Sequence, residues 1–112
     1  MKGIAETKPT YDINEVKRLV ANGQFATIEK VRGFIRTRYP DIGETELIKN
    51  VFNTLQLEDF YKTFELNNFP GVYGDVYRVE YDEMTWYVKF MKDEGERIRI
   101  RILSCKWDGY QY

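Results

Sequence analysis

The stretch Glu96-Arg97-Ile98-Arg99-Ile100-Arg101-Ile102-Leu103 alternates charged and apolar residues, and it constrains the fold more than any other part of the chain. Side chains along a β-strand point alternately to opposite faces. Ile98, Ile100 and Ile102 therefore share a side built for burial. Arg97, Arg99 and Arg101 share the other, with successive guanidiniums about 6.8 Å apart. Guanidiniums stay charged and present a planar fork of donors. Such a row can grip a ligand with negative charge at regular intervals, and RNA is the obvious candidate. An antiparallel sheet with one wet face produces the same alternation, its charges then serving solubility alone.

The isoleucine side needs a cover, and the first half of the chain reads as helices that supply it. After a loose polar lead-in over residues 1–9, Asp12 with Glu15 resembles a capping box, and Ile13, Val16, Leu19 and Val20 recur at helical spacing. Gly23 is a natural stop. Thr27 can cap a second helix with Ile28, Val31, Phe34 and Ile35 inward and Pro40 at its end. A third helix after Gly43 carries Leu47, Ile48, Val51, Phe52 and Leu55. The segment from Leu57 to Phe64 fits a helical turn or a strand equally, and its place between helices and sheet makes it a groove wall. The adjacent acids Glu58-Asp59 read as helix-start capping before they read as metal ligands.

After Gly74 the period changes to two. Strands are expected over Asp75–Tyr81, Thr85–Met91 and Glu96 to about Ser104, joined at Asp82-Glu83 and Asp93-Glu94-Gly95. Tyr77, Val79 and Tyr81 share a side, as do Trp86, Val88 and Phe90. Tyr87 and Lys89 take the opposite one, beside the arginine row if the last two strands pair. Acids gather at the turns and bases along a face. At 112 residues this is one α+β domain, N-terminal helices on a small antiparallel C-terminal sheet.

Composition narrows the chemistry. A formal charge of −1 and a pI of about 5.5 leave no overall field to recruit nucleic acid, so any RNA affinity must come from local patterning. The chain has no histidine, which removes His-based metal sites, His general bases and Ser-His or Cys-His pairs. Its lone cysteine, Cys105, cannot form an intrachain disulfide and fits a reducing compartment. No apolar run approaches membrane-spanning length, and the expected location is the cytoplasm. RNA cleavage fits these limits because the substrate carries its own nucleophile, the 2′-hydroxyl. The enzyme must help remove its proton, stabilise charge on phosphorus and protonate the leaving 5′-oxygen. Tyr and Lys can move protons when neighbours shift them. Arg can clamp the phosphate, and exposed rings can stack unpaired bases.

Several segments taken together resemble the MqsR family of toxins from bacterial type II toxin–antitoxin modules. They are Val16-Lys17-Arg18-Leu19-Val20-Ala21-Asn22-Gly23-Gln24, Leu57-Glu58-Asp59-Phe60-Tyr61-Lys62, Asp75-Val76-Tyr77-Arg78, Tyr87-Val88-Lys89 and Lys106, in order over roughly residues 10–106. The resemblance implies a RelE-like fold and a metal-independent, cofactor-free mRNA endonuclease (an mRNA interferase that blocks translation) silenced by a protein antitoxin. It places Lys62, Tyr87 and Lys106 in the catalytic group and gives Lys89 a hold on the RNA backbone. Arg78, Arg97 and Arg101 are further candidate RNA contacts. The family pattern has a glutamine where this chain has Gly74, and it lacks the arginine row. Strict alternation puts Lys106 on the isoleucine side, so its use in the site requires the strand to end or bulge near Ser104-Cys105. Without one, Arg99 is the substitute phosphate clamp. The expected function is endoribonuclease, with a 2′,3′-cyclic phosphate product. A non-catalytic RNA- or ribosome-binding module of the same fold, or a partner-binding protein without nucleic-acid activity, are the alternatives. The tail 107–112 has no assigned role beyond covering a sheet edge or meeting the partner.

Overall fold

The chain is seen here as a computed structural model that describes residues 8–112. The expected lead-in therefore lies outside the described residues, apart from Lys8 and Pro9. Asp12 opens α1 (Ile13–Ala21) by accepting the backbone N–H of Asn14 at 2.9 Å. The expected capping box is absent, because Glu15 instead reaches the Lys92 ammonium at 3.0 Å and ties the helix to the sheet. Gly23, at φ +82°, ends the helix in the left-handed region that favours glycine. There Gly23 N donates to Val20 O and Gln24 N to Leu19 O, which satisfies two orphan carbonyls.

The chain then forms β1 (Phe25–Thr27), paired parallel to Ile100–Ile102. This strand was not expected, and Thr27 is not the cap of α2 (Glu29–Arg38): Ile28 occupies that position without a side-chain hydrogen bond. A three-residue strand is too short to show a period, and its existence depends on a partner far along the chain. Arg32 reaches back to the Thr27 carbonyl at 2.7 Å and its hydroxyl at 3.0 Å. α3 (Glu44–Thr54) buries Leu47, Ile48, Val51 and Phe52 as its stripe predicts. The segment after it is both of its possible readings in turn, a 3-10 turn over Leu57–Asp59 and then β2 (Phe60–Glu65). Asp59 caps that turn, accepting from Gln56 N at 2.9 Å.

β3 (Tyr73–Tyr81), β4 (Met84–Glu94) and β5 (Ile98–Trp107) complete a five-stranded sheet of order β1-β5-β4-β3-β2, antiparallel except at β1. This is an α+β fold with N-terminal helices on a mostly C-terminal sheet. The helices cover one face, where Phe34 meets the edge of Trp86 at 5.8 Å and Phe52 meets Phe90 at 5.6 Å. Each fully buried side chain of this size contributes about 1.5–3 kcal/mol. Among the described residues, no helix lies on the opposite face of β2–β5.

Three details of the strands differ from the alternation read in the sequence. Arg97 precedes β5, and Ile98, at its first position, is 47% exposed. Lys89 stands opposite Ser104 and Phe90 opposite Ile102, so Leu103 is an extra, unpaired residue. This bulge reverses the side-chain direction. Ile100, Ile102 and Cys105 all face the core, while Arg99, Arg101 and Lys106 all face away from it.

Asp75 lies on the core side and is fully buried. Its carboxylate accepts from Thr10 N at 2.9 Å, Tyr11 N at 3.0 Å and the Thr63 hydroxyl at 3.0 Å. It thereby fastens the chain before α1 to the sheet.

Candidate functional site

Strand register gathers a set of cations around one phenol on the helix-free face. Arg78, Tyr87 and Lys106 stand directly opposite one another across β3, β4 and β5. The neighbouring row runs from Lys62 through Val76 and Lys89 to Ser104. Opposed residues have Cβ atoms about 4.5–5.5 Å apart, and adjacent rows on one face are separated by about 6.8 Å. Lys62 reaches this face because a register shift in β2 between Phe60 and Lys62 turns the strand over. The two shifts, at Tyr61 and at Leu103, bring both lysines onto the face that carries Tyr87, with Lys106 directly opposite it.

Aromatic rings hold the cations in place. The Lys106 ammonium lies 5.0 Å from the centre of the Tyr87 ring and donates to Tyr110 O at 2.8 Å. The Arg78 guanidinium stacks 4.4 Å from the centre of Tyr61 and pairs with Asp108 at 2.9 Å. The Lys62 ammonium is 5.5 Å from the same Tyr61 ring. Lys89 sits 4.4 Å over Phe64. These are cation–π contacts, each worth about 0.5–1 kcal/mol where exposed. Among the described residues no ion pair neutralises Lys30, Lys62, Lys89 or Lys106.

Burial sets the proton affinities of the group. It raises the Tyr87 phenol above its ordinary value, with Tyr61 and Asp108 adding to the effect and Arg78 opposing it. It lowers the Lys106 ammonium, helped by Lys30 and opposed by Asp108. Lys89 is lowered by burial and by its neighbours Lys30 and Lys62. At neutral pH the phenol is a proton donor, and the two lysines release protons more readily than free lysine does.

The arginine row does not join this group. Arg101 stands opposite Met91 and Arg99 opposite Asp93, which puts them about 13 and 20 Å along the strand from the Tyr87 position. Asp93 compensates both, at 3.5 Å from Arg99 and 3.8 Å from Arg101. Tyr87 and Lys89 were expected beside the row; β4 instead runs on to Glu94 and takes the arginines with it. Since the bulge delivers Lys106, Arg99 is not called on as its substitute, and Arg97 lies outside the strand altogether. Arg97 and Arg99 line a separate depression of about 590 Å³ with Gln24, Phe25 and Ile98.

Gly74, where the resemblance implies a glutamine, has no room for a side chain. A Cβ there would run into the ring of Phe64 and stand 2.6 Å from the carbonyl oxygen of Phe90. The Phe64 ring fills that space and supports Lys89, so an aromatic platform replaces an amide. Asp75, in the quoted Asp-Val-Tyr-Arg segment, faces the core. Sequence reasoning passed over Lys30, Asp108 and Tyr112. Lys30 lies 4.9 Å over the Tyr112 ring, and Lys106 lies 5.6 Å over that same ring. Lys30 has no pattern around it that marks it out, and the tail carries no periodicity.

Among the described residues, no three His, Cys, Asp or Glu side chains come together as metal ligands, and no helix is long and apolar enough to cross a membrane. No curated protein matches the chain. The family described as "Motility quorum-sensing regulator, toxin of MqsA" matches over residues 8–106, from the segment held by Asp75 to the lysine delivered by the bulge. With the match covering nearly the whole chain, and with the Lys62, Tyr87 and Lys106 of the family pattern on one face, the chain belongs to the MqsR family of toxin–antitoxin toxins.

Proposed function

We propose that this protein is a metal-independent endoribonuclease that cleaves mRNA in the cytoplasm, held in check by a protein antitoxin. The observation that carries the reading is the set of lysines, without ion-pair partners among the described residues, that share with the protonated Tyr87 phenol a face no described helix covers. Cations without partners repel one another and invite a polyanion. Exposed Tyr61, stacked under Arg78, offers a ring for an unpaired base.

The reaction balances without a cofactor. The 2′-oxygen forms a bond to phosphorus while the bond from phosphorus to the 5′-oxygen breaks. Lys106, its ammonium disfavoured by burial, takes the 2′-hydroxyl proton in its neutral form. Tyr87 gives its phenolic proton to the departing 5′-oxygen, and the protonated Lys106 beside its ring then restores it. The ammoniums of Lys62 and Lys89 face the charge that builds on the non-bridging oxygens. The products are a 2′,3′-cyclic phosphate and a free 5′-hydroxyl. Arg78 holds the backbone once a phosphate displaces Asp108. Arg97, Arg99 and Arg101 lie on the path of a longer strand and contribute grip.

The test is purified protein, freed of antitoxin, with a defined RNA in the presence and absence of chelator. Chelator-insensitive cleavage that disappears in Lys62→Ala and in Tyr87→Phe, with cyclic phosphate at the new 3′ ends, supports the nuclease. Salt-sensitive RNA binding with no cleavage would leave a binding module in its place.

A further inference from the structure

Two ammoniums share one aromatic ring at the edge of the site. Tyr112 is 5.6 Å from Lys106 and 4.9 Å from Lys30, measured from ring centre to nitrogen. Lys30 comes from the first turn of α2, where the helix dipole disfavours a cation. Its neighbour Glu29 gives it no relief, being bound to Arg32 at 3.1 Å and Arg36 at 2.9 Å. Tyr112 is itself fixed, because its hydroxyl accepts the backbone N–H of Cys105 at 3.1 Å. That contact closes the edge of β5 beyond the short β1. The tail that brings the ring here begins where the family match ends, at Lys106.

Among the described residues Lys30 has no ion-pair partner, and its charge works against the Lys106 ammonium. The arrangement makes sense once an anion lies against Lys30. We infer that Lys30, held beside Lys106 by the Tyr112 ring, forms a second phosphate subsite, which takes the backbone phosphate flanking the scissile one in a single-stranded RNA. This rests on the nuclease reading and deepens it: the C-terminal tail recruits a helix residue into the site and lengthens the stretch of RNA that is gripped. Lys30 is a binding residue; Tyr112 is a positioning residue that acts through Lys30 and Lys106. The burial and charge effects on Lys89 and Lys106, both felt from Lys30, fit the same crowding.

The experiment measures binding of fully 2′-O-methylated, uncleavable oligonucleotides of increasing length against salt, beside cleavage of the matching RNA. Wild-type protein is compared with Lys30→Ala, Lys30→Arg and Tyr112→Ala. Removing one phosphate contact to a single strand lowers the salt slope by about 0.7. Lys30→Ala is expected to show that loss and to weaken binding several-fold for oligonucleotides long enough to reach the subsite. The shortest ones should bind unchanged, and Lys30→Arg should restore the slope. Tyr112→Ala is expected to lose part of the same slope, with a fall in Tm of a few degrees as the Cys105 N–H loses its acceptor. An unaltered slope in Lys30→Ala, with wild-type cleavage intact, would overturn the subsite and leave the nuclease standing. Failure of the wild-type protein to cleave any RNA would overturn the nuclease reading first, and the subsite with it.

Discussion

Asp75→Asn separates a structural role from a catalytic one for the acid in the Asp-Val-Tyr-Arg segment. The carboxylate is fully buried and both of its oxygens receive donors: Oδ1 from Thr10 N and the Thr63 hydroxyl, Oδ2 from Tyr11 N. An amide can satisfy only one side. Whichever way it is turned, its NH2 group faces a donor, and at least one buried hydrogen bond becomes a repulsion. A hydrogen bond to a charged group is worth about 1.5–3 kcal/mol. The expected loss is therefore about 2–3 kcal/mol, or a fall in Tm of roughly 8–20 °C for a domain of this size. Thermal unfolding by circular dichroism gives the first number. Limited proteolysis gives a second readout, since residues 10 and 11 lose their anchor and the chain before α1 should be cut sooner. Cleavage of RNA, measured well below the lowered Tm, should stay within a few-fold of wild type, because this side chain faces the core and the lysines face away from it. A variant with unchanged Tm and abolished cleavage would refute the assignment and return Asp75 to the reacting group.

Cleavage should rise with pH along a limb governed by Lys106, whose folded value lies below that of free lysine, since the amine must be neutral to take a proton. No fall is expected until above the ordinary tyrosine range, because burial raises Tyr87 and keeps it protonated. A kcat/KM profile in wild type and Lys106→Ala checks both limbs; a falling limb near neutrality would refute the roles. Gly74→Gln, which restores the family residue, should destabilise by about 1–3 kcal/mol through overpacking against Phe64 and the Phe90 carbonyl. Adding Phe64→Ala should recover part of this in a double-mutant cycle read by denaturant unfolding. Glu83, at φ +61° in the two-residue turn between β3 and β4, is strained where glycine is not. Glu83→Gly should stabilise by about 0.5–1 kcal/mol and raise Tm by a few degrees.

The helices and the order of the later strands were legible because both depend on local period. Burial of one face writes spacings of 3.6 or two directly into residue type. Val16, Leu19 and Val20, or Trp86, Val88 and Phe90, mark their faces without any partner in view. The site was legible only as a set of residue types and a family resemblance. The arginine row, the most regular feature of the chain, proved to lie at the other end of the sheet with Asp93 on it.

By itself the sequence determined an α+β domain, the apolar faces of its elements, and a chemistry without histidine. Only the tertiary structure decided which side chains meet. β1 exists because Ile100 to Ile102 offer it an edge. Lys62 and Lys106 share a face with Tyr87 because one residue is inserted in β2 and one in β5. Lys30 enters because a tail without any pattern of its own carries Tyr112 across the face. The reason is physical: period reports the environment of one strand or helix, whereas a bulge shifts pairing between two strands. Its cost and benefit exist only once both are in place.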